Sequence, residues 1–401
     1  MCEEDKNVKM FADRTRWDLS LNTITSTLSR LKNSDAKITD LTVSNPTQAG
    51  FFYPDKEILN ALNKRENLIY QPSAKGLLEA REAVCAYYSQ KGVDISPEKV
   101  LLTSSTSEAY SFLFRLLANP KDKILFPRPS YPLFDFLGGI NDVNISFYPL
   151  EYKSKWRLAR QRFASLLTGS RAVVIVSPNN PTGSFFSQQD MDFVNAECAH
   201  SNIPIICDEV FGDYIFDEQS AFPTFAGNKQ VLTFTLGGLS KALGLPQMKL
   251  SWIIVSGDDG QVKDALARLE VIADTFLSVN AASQNALADW FRLRGCLQEQ
   301  ILDRVRKNYA TLMRLCNENS CCKCLNSDGG WYAVVKIGSP SDNFDEEEFV
   351  LDLLQKQGVF VHPGYFFDFD ESGYIVLSLL PPEKVMEHGV TGLMSQINQV
   401  K

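Results

Sequence analysis

Histidine is scarce in this chain: only His200, His362 and His388 occur among 401 residues. The nine cysteines are an odd number with no regular framework, so reduced thiols are the simplest reading. Cys316, Cys321, Cys322 and Cys324 do cluster. A zinc site, however, favours paired CxxC spacing and histidine partners. The cluster therefore reads as a strand start and loop, not a metal site. No stretch approaches the roughly 18–20 apolar residues that cross a bilayer. No internal repeat and no low-complexity segment is present. Positive charge is not in excess either: the net charge is −8 and the pI near 5.2, which argues against a general nucleic-acid surface. The opening residues, Met1-Cys2-Glu3-Glu4-Asp5-Lys6, are charged and acidic, unlike a signal peptide. The compartment expected from all this is the cytoplasm, with no nucleic-acid or membrane partner.

What the chain does have is enough hydrocarbon for a large core, 44% hydrophobic against 22% charged. Length alone suggests two or three domains. Short apolar runs alternate with helical patterns through the middle of the chain. Residues 100–103, 124–126, 172–176, 203–207, 231–235 and 251–255 read as strands, and 105–117 and 188–201 as helices. Such alternation implies an α/β fold, with a mostly parallel sheet covered by helices on both faces. After about residue 260 the pattern changes. Helices are expected at 261–273, 282–294, 296–317 and 345–356, with strands at 332–336 and 374–379. This is a smaller α+β block. The expected division is 45–290 for the large domain and 291–401 for the small one. Residues 1–44, with a helix near 23–31, join the small domain.

Three residues close apolar runs in a suggestive way. Lys241 lies in Ser240-Lys241-Ala242-Leu243-Gly244, Asp208 ends Ile205-Ile206-Cys207-Asp208, and Asn180 opens Asn180-Pro181-Thr182-Gly183. Ligands of open α/β sheets bind outside the carboxyl ends of strands, so the three share one rim. A lysine can form a Schiff base with an aldehyde. An aspartate can pair with a protonated pyridine nitrogen and keep the ring an electron sink. An asparagine can hydrogen-bond a phenolic oxygen. The trio suits pyridoxal 5′-phosphate (PLP). A phosphate cup has its own signal. Ser105-Thr106-Ser107-Glu108 follows a strand and opens a helix with capping-box spacing, leaving N–H groups and the hydroxyls of Thr106 and Ser107 for an anion. Taken singly, each feature also fits a surface lysine, a capping carboxylate, an ordinary turn or a capped helix with no ligand.

Together, in this order, the motifs resemble the class I/II aminotransferases of the fold-type I PLP enzymes. The resemblance runs from about Asp40 to the C-terminus. It implies that Asn180 contacts the phenolic oxygen, Asp208 the pyridine nitrogen, and that Ser240-Lys241 carries the Schiff-base lysine. Pro129-Ser130-Tyr131 matches the motif whose aromatic residue, Tyr131, stacks on the ring. Tyr70, ahead of Gly76 and Glu79-Ala80-Arg81, matches a tyrosine that reaches the partner subunit's phosphate, so a homodimer is implied. Lys249 stands where the family places an arginine against the phosphate. The implied reaction is transfer of an amino group between an amino acid and a 2-oxo acid, by ping-pong kinetics.

Four positions depart from the family pattern. Phe211 replaces a tyrosine that donates to the phenolic oxygen, so the imine at Lys241 is expected to titrate higher than usual. Lys249 keeps a charge but loses the bidentate fork of arginine. Gly238 replaces a serine, removing a phosphate donor. Val376, in Tyr374-Ile375-Val376-Leu377-Ser378, replaces the arginine that clamps the substrate carboxylate. Arg14, Arg16, Asn180 and the backbone near Ser44-Asn45-Pro46-Thr47 are the candidates to stand in for it. Two rivals remain open: another PLP reaction (β-elimination, decarboxylation or side-chain cyclisation), and a non-catalytic PLP-fold protein. The segment His362-Pro363-Gly364-Tyr365-Phe366 reads either as a lid or as a turn.

Overall fold

The computed structural model describes residues 10–34, 36–217, 223–277, 279–338 and 344–399. The acidic opening residues and Cys2 lie outside the described residues. Among the described residues, no helix is long and apolar enough to cross a membrane.

Eight strands form the central sheet, in the order Val100–Thr103, Ser251–Ser256, Thr233–Gly238, Ile205–Asp208, Ser170–Val176, Lys123–Arg128, Asn144–Tyr152 and Trp156–Leu158. The four middle pairings are parallel, and the outer ones, on Ser251–Ser256 and Trp156–Leu158, are antiparallel. Ala172–Val176 is buried throughout, as expected of a strand covered on both faces. Alternate residues feed two cores. Val174 and Ile206 pack with Tyr110, Phe112 and Leu269 on one side. Val173, Ile175 and Ile205 pack with Phe163, Val194 and Cys198 on the other. The register pairs Val176 with Asp208 and Asp208 with Leu236, so two strands end level and the third runs two residues further, to Gly238. The segments carrying Asn180, Asp208 and Lys241 therefore leave the sheet on one rim.

A second sheet orders Cys322–Cys324, Tyr332–Ile337, Tyr374–Ser378 and His362–Pro363, all antiparallel. Helices Arg294–Asn317, Glu346–Gln357 and Glu383–Ile397 share a core with it. Thr39–Asp40 pairs with Val359–Phe360, and Ser378 N donates to Leu41 O, which stitches the start of the chain to this block. Further upstream the chain leans on the large sheet's side, where Trp17 meets Phe136 edge-on.

The strand expected at 231–235 is found at Thr233–Gly238. Gly237 and Gly238 look like a stop signal but are strand residues. A Cβ on Gly237 would meet the Trp252 indole at 2.5 Å, and one on Gly238 would meet Ser251 Oγ at 2.3 Å, so glycine here makes room for the neighbouring strand. Helices Leu78–Ser89 and Glu383–Ile397 and the strand Asn144–Tyr152 were not anticipated. The segment after His362 is a turn. His362–Pro363 is a strand and Gly364–Phe367 a 3-10 turn, held by the Glu346 carboxylate, which accepts from Tyr365 N and Tyr374 N at 2.8 Å each.

The loop bearing Asn180 is clamped across the two blocks. Asp328 N donates to Gly183 O, and Gly183 N donates to Asn179 O. Gly183 has φ +64, and a Cβ there would lie 1.9 Å from Ser327 Oγ and 2.2 Å from Gly329 O. Gly183→Ala should therefore destabilise the protein by about 2–3 kcal/mol through strain and displaced backbone. A denaturant midpoint unchanged from wild type would contradict this.

Candidate active site

Lys241 follows the Thr233–Gly238 strand directly, in the short helix Leu239–Ala242. Its backbone carbonyl accepts from Tyr214 Oη at 2.7 Å, and Ala242 O accepts from Gln298 Nε2 at 2.6 Å. The Lys241 ammonium sits 4.7 Å from the Trp331 ring centroid and 5.5 Å from that of Phe211. Burial pushes the amine down to about 8, against a pull upward from the Asp208 carboxylate. A lysine in that range supplies a free amine in mildly alkaline solution, which a solvated lysine does not.

Asp208 closes its strand and is buried. Burial raises its carboxyl to about 6, while Val210 N–H, the Tyr110 hydroxyl and the charge of Lys241 hold it down. Tyr110 Oη donates to Asp208 Oδ2 at 3.0 Å, and Val210 N donates to Oδ1 at 3.1 Å. The two side chains Lys241 and Asp208 feel each other's charge without forming a contact ion pair. Tyr110 was missed from the sequence. Its signal is position: one helical turn beyond Thr106, on the helix that starts at the expected cup.

Asn180 is buried, and its amide oxygen has no hydrogen-bond partner among the described residues. The oxygen and nitrogen of such an amide exchange places by a flip, so its polar end can face an acceptor or a donor. The neighbouring Asn179 Nδ2 donates to Pro129 O and Thr182 Oγ1, tying this loop to the one that carries Tyr131. Tyr131 is 40% exposed, stands edge-on to Phe134, and lies within reach of the Asp208 charge. Tyr332 approaches from the second block, beside Ser44 and Tyr131.

The helix Thr106–Leu117 starts as expected, with Ser105 Oγ accepting from Glu108 N at 3.1 Å. Glu108 returns to Ser104 N rather than to Ser105 N, one residue off an ideal capping box. The hydroxyls of Thr106, Ser107 and Ser240 make no hydrogen bond among the described residues, and Lys249 is exposed at φ +50 with no ion pair. Free hydroxyls, a helix start and an exposed cation suit a phosphate. Tyr70 stands apart. It is 80% exposed, on a cleft of about 720 Å³ whose wall includes Gln71, Ser73, Val279 and Gln284.

The departures are structural facts. Phe211 is buried against Trp331 and Tyr332 at the place a tyrosine would take. Val376 is fully buried in hydrocarbon, cross-strand from Val334 and His362. Arg14 pairs with Asp142 and Arg16 with Asp13, both on the surface, where such pairs are weak and open readily.

A sequence model described as aminotransferase class I and II matches residues 36–391. The chain belongs to that family. Glutamate-pyruvate aminotransferase AlaA of Haemophilus influenzae is 26% identical over 369 residues, covering 91% of either chain. Tyrosine aminotransferase of Homo sapiens is 25% identical over 411 residues, covering 94% of this chain and 87% of its own. The solved alanine aminotransferase from Pyrococcus furiosus superposes with a TM-score of 0.88 at 22% identity, covering 97% of this chain and 100% of that one. The protein is thus a transaminase of fold type I, from a PLP-dependent family. The buried unpartnered amide of Asn180, the buried amine of Lys241 and the open hydroxyls at the helix start fit that cofactor.

In the cofactor-free aminotransferase the Lys241 amine should titrate near 8. This is measurable as the pH dependence of its reaction with an amine-directed reagent, read by peptide mass mapping. Asp208→Asn removes a charge that favours the ammonium, so the midpoint should fall further. A midpoint at the ordinary lysine value of about 10.4 would overturn the burial argument.

Proposed function

We propose that this aminotransferase holds PLP on the rim formed by Lys241, Asp208 and Asn180. It would do so within a large domain of residues 45–290 flanked by a smaller one of 1–44 and 291–401. When bound, the cofactor supplies an aldehyde that takes up an amino group and a ring that accepts the electron pair left on the substrate carbon. The observation that carries the reading is the Lys241 amine, buried and lowered to about 8 beside a carboxylate anchored by two donors.

Each residue then has a task. Lys241 Nζ would take the proton from the substrate's α-carbon as general base and hand it, as general acid, to the cofactor's former aldehyde carbon. Asp208 keeps negative charge against the pyridine nitrogen. Tyr110 positions Asp208 and opposes its protonation. The Asn180 amide meets the phenolic oxygen, and Tyr131 lies against the ring. Thr106, Ser107, Ser240 and Lys249 hold the phosphate. With Phe211 in place of a donor, Asn180 is the side-chain donor at the phenolic oxygen.

Tyr70 completes the cup from a second copy. The exposed apolar residues Leu68, Ile69 and Leu277 beside it support a homodimer through that face. The cytoplasm is the proposed compartment, on the ground of nine cysteines without a paired framework.

Purified protein with PLP should show a visible absorbance band that Lys241→Ala loses. L-Alanine, L-glutamate and L-tyrosine, chosen for the relatives' activities, should be tried as donors. Keto-acid formation without release of ammonia or CO2 is the expected result, and stoichiometric ammonia or CO2 would favour elimination or decarboxylation. Phe211→Tyr adds a donor for the oxyanion, so the pH midpoint of the visible band should move down; an unmoved midpoint sinks the argument from Phe211. Mixing Lys241→Ala with Tyr70→Ala chains should restore activity, because one site of the mixed dimer then carries neither defect. Two inactive variants that stay inactive on exchange of subunits would rule out the shared site.

A further inference from the structure

The missing serine at 238 leaves a gap in the cup, and the fold shows what fills it. Gly238 has φ −178, an extended backbone open to any residue, so its conformation does not require glycine. Space does. A Cβ at 238 would lie 2.3 Å from Ser251 Oγ and 3.0 Å from Ser251 Cβ. One hydroxyl side chain fits between these two strands, and this chain carries it at 251.

Ser251 begins its strand paired to Gly238 on one side and to Thr103 on the other. Both neighbours lead into the cup. Thr103 Oγ1 donates to Ser105 O at 3.0 Å, and Gly238 opens the helix of Lys241. Leu239 N donates to Leu250 O at 3.0 Å, which fixes Ser251 relative to that helix. Ser251 is only 2% exposed, and its hydroxyl has no hydrogen-bond partner among the described residues. This hydroxyl, nearly but not wholly closed off from solvent, occupies the root of the absent side chain.

We infer that Ser251 donates the cofactor-phosphate hydrogen bond that residue 238 cannot supply. This rests on the PLP reading above.

The test compares PLP with pyridoxal, which lacks the phosphate. Cofactor-free protein is titrated with each and binding is read by fluorescence quenching, with circular dichroism to check folding. Ser251→Ala should weaken PLP about tenfold, the loss expected for a hydrogen bond to a charged group, and leave pyridoxal unchanged. Gly238→Ser alone should bind PLP worse than wild type, because its side chain collides with Ser251. The exchange Gly238→Ser/Ser251→Gly moves the hydroxyl back to 238 and should recover PLP to within about threefold of wild type. A folded Ser251→Ala with an unchanged ratio of PLP to pyridoxal affinity overturns the assignment. Should that variant not fold, the exchange variant decides: a PLP affinity that fails to exceed its pyridoxal affinity by the wild-type factor overturns it equally. Wild type that binds neither compound removes the cofactor reading itself, a distinct outcome.

Discussion

Two opposite charges held out of water at the ends of adjoining strands set the terms for the rest of this molecule. Lys241 falls to about 8 and Asp208 rises to about 6, both for the same reason, burial, and each moves toward neutrality. A buried charge is tolerated only with partners. Asp208 has two, the Tyr110 hydroxyl from a helix and the Val210 N–H from its own turn. Lys241 has the faces of Trp331 and Phe211 and the field of Asp208. The central strands must therefore deliver both residues to one rim, and the second block must press Trp331 against the first. The clamp between Gly183 and Asp328 and the Tyr214 bond to the Lys241 carbonyl serve the same end.

Much of this was legible in the chain because it is written in local patterns. Strands 100–103 and 172–176 follow from runs of Val, Ile and Leu, and the helix Gln188–Ser201 follows from its pattern; the Ser187 side chain caps it in the structure. Asp208 ends a strand and Lys241 and Asn180 follow strands within a few residues, so topology brings them to one rim. What local pattern cannot carry is contact between distant segments. Tyr110 reads as one more aromatic on a helix, and only the parallel register sets its hydroxyl beside Asp208. The strand that leads to Lys241 is expected to end at 235, and its run through Gly237 and Gly238 depends on Trp252 and Ser251 filling the space beside them. The Arg14–Asp142 pair joins residues far apart in sequence, so nothing local announces it.

The same reasoning bears on the substrate. The strand Tyr374–Ser378 presents Val376 into a cluster with Val334, Phe367 and Phe369, fully out of water. A guanidinium at that point would be desolvated with no carboxylate of the protein to meet it, a heavy penalty in the free enzyme. Valine removes that penalty and stabilises the contact between the two blocks. The substrate side gives up a charge-assisted, bidentate partner, and the polar groups left on the wall are neutral: the Asn180 amide and the Tyr332–Ser44 pair. On the reading proposed above, the substrate carboxylate meets no fixed bidentate counter-charge at 376, and what Val376 supplies instead is hydrocarbon packing between the two blocks.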